Sequence, residues 1–179
     1  YTHVELAFGN DGLRFLLKDM SLTANGKNYS SEDVKAAIQY GNTQYNSLIP
    51  NYNPSTNELT EGEMREILAH ASEVGIGIIP MFDAPGHMYA LINGMKDKLQ
   101  LTANYRYATK SGENSKNWAL ILTDKSNEDS VAFVKALMQK YIQFFADNGA
   151  KYFNIAADEC GFVSTRSGTS INDTNGEYA

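Results

Sequence analysis

The chain has 179 residues, 42% of them hydrophobic and 11% aromatic, which is enough to bury a sizeable core within one domain and too apolar for a disordered segment. A formal net charge of -6, with no cluster of Lys or Arg, argues against a phosphate-backbone partner, so nucleic acid is not expected. The single cysteine, Cys160, excludes an intramolecular disulfide framework and a Cys-rich zinc site, and no apolar stretch reaches the roughly 18 residues of a membrane span.

Taken in chain order, Tyr1 opens directly into strand-like sequence, so any targeting signal is expected outside these residues. Residues 3–8 alternate as a strand and stop at Gly9-Asn10-Asp11-Gly12, whose small, turn-tolerant residues predict a turn. Ser30 with Asp33 precedes Val34, Ala37 and Ile38, which predicts a short helix ending near Gly41; residues 42–59, rich in Asn, Ser and Pro, read as loop. Thr60 with Glu63 forms a capping box, and Met64, Ile67, Leu68 and Ala71 follow at helical spacing up to Gly75.

Residues 76–82 are apolar on both faces, as a parallel strand covered by helices must be, and they end at Asp83-Ala84-Pro85-Gly86-His87. Residues 94–125 lack a sustained period and predict a long excursion loop, anchored by Trp118 and by residues 120–122. A helix is expected over residues 128–147, with Val131, Val134, Leu137, Met138, Tyr141, Phe144 and Phe145 on its buried face, closed by Asn148-Gly149. Residues 151–157 predict a third strand, with Asp158 and Glu159 at its end, and beyond Val163 the sequence is almost wholly polar. Alternating strands and helices predict a parallel α/β sheet or barrel, with no internal repeat or linker dividing the chain.

In a βα barrel the C-terminal strand ends converge on one mouth. Here all three ends carry polar groups: Asn10, Asp11 and Arg14 after the first, Asp83 and His87 after the second, Asp158 and Glu159 after the third. A carboxylate there also serves as a helix cap, so each has a structural reading singly, while together they favour a site. Adjacent strand residues point to opposite faces, so Asp158 and Glu159 share a pocket only if the backbone turns between them. Such a pair can divide two roles that need different protonation states. Pro85-Gly86-His87 suits a tight turn that leaves the imidazole able to bond a carboxylate. His3 and His70 read as structural, and Cys160 as a packing residue. A metal held by His87, Asp83 and Glu159 is conceivable, although no His-x-His or His-Glu-x-x-His spacing supports it.

At this point the residues resemble the glycoside hydrolase family 20 hexosaminidases over residues 1 to about 162. Ile79-Pro80-Met81-Phe82-Asp83-Ala84-Pro85-Gly86-His87 is similar to the family strand ending in Asp-x-Pro-Gly-His, and Phe153-Asn154-Ile155-Ala156-Ala157-Asp158-Glu159 to its strand ending in Asp-Glu. The opening, with Gly9-Asn10-Asp11-Gly12-Leu13-Arg14-Phe15, is similar to bacterial cell-surface members acting on host glycans. The chain departs from the family pattern at Ala156-Ala157, where two glycines are usual, and at His3-Val4-Glu5-Leu6, where a His-x-His-Leu run is usual.

The resemblance implies a partial (β/α)8 TIM barrel, with residues 1–179 contributing strands 2 to 4 and the rest of the same polypeptide supplying the remainder. It implies retaining hydrolysis of terminal N-acetylhexosamine from a glycan without an enzyme nucleophile, the substrate's 2-acetamido oxygen attacking the anomeric carbon to give an oxazolinium ion. By position Glu159 is the implied general acid and base, and Asp158 orients the acetamido N–H. The resemblance further implies that His87, with Asp11, forms a relay tuning Glu159 and that Asp83 buttresses Asp158. No metal or organic cofactor is implied, the implied location is extracellular or attached to a bacterial cell wall, and the chain alone is expected to be inactive. Three readings stay open beside an exo-hexosaminidase: a lacto-N-biosidase of the same family, a carbohydrate-binding barrel without catalysis, and a metal-dependent hydrolase.

Overall fold

The computed structural model describes residues 1–44, 51–107 and 118–158. Strand β1, His3–Asn10, runs parallel to β5, Gly77–Phe82, in the register His3↔Gly77 to Ala7↔Met81, with an irregularity between Ala7 and Gly9. On the far side of β5, Asn154 N–H donates to the Pro80 carbonyl (2.8 Å) and Phe82 N–H to the Asn154 carbonyl (3.0 Å). Three chain segments therefore lie side by side in sequence order and in parallel, the topology that requires helical crossovers between them.

Residues 9–12 are not a simple turn. β1 continues through Asn10, and a two-residue strand β2, Gly12–Leu13, folds back antiparallel on it, with Asp11 at the bend at φ 59°. A hairpin of β3, Leu22–Ala24, and β4, Lys27–Tyr29, follows. Helix α1 spans Ser31–Gln44, running past Gly41, where the sequence predicts its end. Gly41 is a site of close approach and not a stop: a Cβ there would lie 1.8 Å from the carbonyl oxygen of Ala90. Ala90 belongs to α4, Tyr89–Asp97, whose own Gly94 presses on Ala37 in the same way.

Between them, α2 is the short turn Pro54–Asn57 within the expected loop, and α3 is Glu61–Glu73 with both bonds of the Thr60–Glu63 capping box formed. Met64 and Leu68 are buried on α3, whereas Ile67, expected beside them, is exposed. Gly75 follows α3 at φ 73°.

The predicted excursion over residues 94–125 begins with the end of α4 and includes a hairpin of β6, Tyr105–Tyr107, and β7, Trp118–Leu120. Residues 108–117 of it lie outside the described residues. Helix α4 lacks the signals of a surface helix, because Met88 makes no side-chain cap and most of its residues are buried, so no polar face marks its period. Of the expected anchors, Trp118 stacks on Tyr105 with centroids 3.8 Å apart and Leu120 is fully buried, whereas Leu122, at the far end of the expected 120–122 anchor, is exposed because the chain has by then left the β7 ladder.

Helix α5, Glu128–Asp147, matches its expected span. Its Tyr141, Phe144 and Phe145 meet Phe8 and Phe15 in an aromatic cluster, with Tyr141 donating to the Phe15 carbonyl at 2.5 Å. Phe82 of β5 joins it, so one core ties both strands to α5. The predicted third strand is realised as a single parallel bridge, Met81↔Asn154, because Ala156 and Ala157 turn left-handed (φ 51° and 56°) and leave extended geometry.

Candidate active site

The C-terminal ends of β1, of β5 and of the 151–157 segment converge, and each end is hydrogen-bonded to the next. Asp83 N–H donates to the Gly9 carbonyl (2.7 Å), carrying the first ladder beyond β5, and Ala84 N–H donates to the Ile155 carbonyl (3.3 Å). The Asp83 carboxylate lies between its neighbours, with Oδ1 accepting from Asp158 N–H (3.3 Å) and Oδ2 from the Asn10 carboxamide (3.5 Å). Asp83 is 1% exposed. Burial raises its carboxyl to about 6 against the lowering pull of His87 and of the Asp158 N–H.

His87 follows the cis Ala84–Pro85 bond and sits at φ 48°. Its Nδ1 lies 2.9 Å from Asp11 Oδ2, with both side chains largely buried. The backbone doubles this contact: Asp11 N–H donates to the His87 carbonyl (2.6 Å) and Ala90 N–H to the Asp11 carbonyl (2.8 Å). With Nδ1–H directed at Asp11, the tautomer places a lone pair on Nε2, the arrangement a carboxylate imposes on an imidazole that takes or gives a proton on its other side.

The excursion hairpin is fastened to the same turn, because Met88 N–H donates to the Trp118 carbonyl and Leu120 N–H to the Pro85 carbonyl, both at 2.9 Å. The turn carrying His87 is thus held by the Asp11 bend on one side and by β7 on the other.

Of the residues singled out in the sequence, Asp11 with His87 and Asp83 with Asp158 are brought into contact. Glu159 and Cys160 lie outside the described residues, so the turn required between Asp158 and Glu159 lies there too. Arg14 is exposed beyond the site, its carbonyl accepting from Leu59 N–H. His3 packs edge-on to Tyr152 at the opposite end of the strands, and His70 pairs with Glu73 on the surface of α3, both away from the site. Among the described residues, no group of three His, Cys, Asp or Glu side chains could hold a metal ion, and no helix is long and apolar enough to cross a membrane. Asn42, which the sequence reads as the first residue of a loop, lies inside α1 and is fully buried, so its place beside the site becomes visible only once the helix is seen to run past Gly41.

A parallel α/β chain that gathers carboxylates and an imidazole at the C-terminal ends of neighbouring strands has the architecture of one sector of a barrel enzyme. The family model described as glycosyl hydrolase family 20, catalytic domain, matches residues 51–175. The chain belongs to that family, and its fold is part of a (β/α)8 barrel. Two solved structures of StrH, the pneumococcal exo-β-D-N-acetylglucosaminidase with tandem catalytic modules, superpose with TM-scores of 0.70 and 0.71 at 41% and 40% identity, covering 86% and 88% of this chain. Lacto-N-biosidase of Bifidobacterium bifidum is 29% identical over 100 residues, 56% of this chain, and β-hexosaminidase subunit A1 of Dictyostelium discoideum is 30% identical over 108 residues, 60% of it. The chain spans 33% and 35% of the two solved chains and 8% and 18% of the two curated relatives.

Proposed function

We propose that this chain supplies the second, third and fourth strands, and the acid/base half of the active site, of an enzyme that removes terminal β-linked N-acetylglucosamine or N-acetylhexosamine from glycans. The observation that carries this reading is the bridge from Asp83 to the backbone of Asp158, which sets the start of the Asp158-Glu159 pair over the same mouth as the His87–Asp11 pair.

In this reading Glu159 protonates the glycosidic oxygen while the 2-acetamido oxygen attacks the anomeric carbon. The bond to the leaving alcohol breaks, and an oxazolinium ion remains. Asp158 accepts the acetamido N–H and offsets the positive charge developing on that nitrogen, an interaction stronger in the transition state than in the bound substrate. Glu159, now ionised, takes a proton from water as that water attacks the same carbon, and the configuration is retained. His87 and Asp11 stabilise the proton balance of Glu159, and Asp83 holds Asp158 in place. The expected setting is outside a bacterial cell, in line with the pneumococcal relative described as a virulence factor.

Glu159→Gln in the full-length enzyme should lower turnover of an aryl N-acetylglucosaminide by about 10²-fold or more; near-normal turnover would remove Glu159 from the acid role. The match to a lacto-N-biosidase supports a second reading, release of a disaccharide by the same chemistry. Product analysis on a lacto-N-tetraose-type substrate separates the two, since one yields a monosaccharide and the other a disaccharide.

A further inference from the structure

We propose that Asn42 of α1 is a positioning residue for the Asp11–His87 pair, an inference that rests on the role given to that pair above. Asn42 is 0% exposed, and its carboxamide meets Leu13 as a neighbouring strand would. Leu13 N–H donates to Asn42 Oδ1 (3.0 Å), and Asn42 Nδ2 donates to the Leu13 carbonyl (2.8 Å). Leu13 is two residues beyond Asp11, whose left-handed backbone persists only where its surroundings over-determine it. Backbone bonds to His87 and Ala90 hold Asp11 itself, and the Asn42 clamp holds the chain leaving it.

The orientation of the carboxamide is also specified. Nδ2 donates as well to the Tyr52 hydroxyl (3.1 Å), and that hydroxyl donates to Glu58, whose other oxygen accepts from Gln39 Nε2 (3.1 Å). A hydroxyl whose proton is directed at a carboxylate can only accept from Asn42, so the amide nitrogen and not its oxygen must face Tyr52. Gly41, one residue earlier, makes the clamp reachable, because its lack of a side chain lets α1 press against the carbonyl of Ala90, whose N–H holds Asp11. α1 therefore grips the Asp11 bend through Ala90 on one side and Leu13 on the other. An apolar side chain would fill the same helix position but leave the Leu13 N–H and carbonyl unpaired in the core.

The test is a double-mutant cycle in the full-length enzyme on an aryl N-acetylglucosaminide, with kcat, KM and the pH profile of kcat/KM measured for wild type, Asn42→Asp, Asp11→Asn and the double variant. Asn42→Asp keeps the shape and the acceptor for Leu13 N–H but removes both Nδ2 bonds. The expected result is a loss of about tenfold to a hundredfold in kcat, with KM within about threefold of wild type. The pH profile should shift, and the double variant should show no loss beyond that of Asp11→Asn. A folded Asn42→Asp with wild-type kcat and pH profile, or losses that multiply in the double variant, would overturn the proposal. If Asn42→Asp does not fold, Asn42→Ser, which withdraws the carboxamide from Leu13 without adding a buried charge, is judged by the same criteria. A wild-type kcat and pH profile for Asp11→Asn would overturn the relay reading itself, an outcome distinct from losses that multiply.

Discussion

Asp83 is the residue whose environment makes the sharpest physical demand. Its folded-state value of about 6 lies above the roughly 3.9 of an unfolded Asp, so between about pH 4 and 6 the folded protein holds a proton that the unfolded chain has lost. The stability this group contributes is complete below about pH 4 and is lost as the pH rises through 6. In urea titrations the wild type should lose on the order of 2 to 3 kcal/mol relative to Asp83→Asn between pH 4 and 7; parallel curves for the two proteins would show that Asp83 titrates alike in the folded and unfolded chain. Ala156 and Ala157 carry a different load. Left-handed backbone costs an L-residue roughly 1–2 kcal/mol, which glycine avoids at some expense in unfolded-state entropy. Ala156→Gly and Ala157→Gly in the full-length protein should each raise stability by up to about 1 kcal/mol, read as a higher Tm, and a fall in Tm for both would contradict the left-handed pair. Alanine at both positions is thus held in a strained, left-handed backbone.

At the scale of elements, the α1–α4 pair decides how the site is held. Gly41 and Gly94 let the two helices meet backbone to backbone, and Asp11 is trapped where α4 begins. Gly41→Ala should destabilise the protein by about 1–3 kcal/mol or more, since the new methyl meets a carbonyl and not a flexible side chain. Thermal unfolding measures this, and an unchanged Tm would mean the helices do not meet there. In the sequence Gly41 reads as a stop because glycine commonly follows a helix, and only the presence of α4 across from it distinguishes contact from termination. Helix α3, by contrast, was legible in advance, since the Thr60–Glu63 capping box is a local structure that needs no partner. The excursion over 94–125 was legible as an insertion with anchors, though not as a hairpin bonded to the His87 turn.

For the whole molecule, Val4, Tyr152 and Ile155 stay exposed (46%, 60% and 51%) although they lie on strand-forming segments. A barrel of about 250 residues closes its sheet with eight strands, and this chain carries a sector of it. The 179-residue chain produced by itself is expected to show no turnover of an aryl N-acetylglucosaminide, whereas the complete polypeptide should turn it over; activity of the sector alone would mean that the acid/base residues suffice without the remaining strands.

Local chemistry was enough to reveal the alternation of strands and helices, the capped α3, the span of α5 and the carboxylates and imidazole at the strand ends, because caps, periodicity and turn residues act over a few neighbouring positions. The pairing of Asp11 with His87, the seat of Asp83 against Asp158 and the clamp of Asn42 on Leu13 join positions 76, 75 and 29 residues apart. No spacing rule encodes such contacts. They exist because parallel strands align their ends and because two glycines let α1 and α4 close on the bend between them.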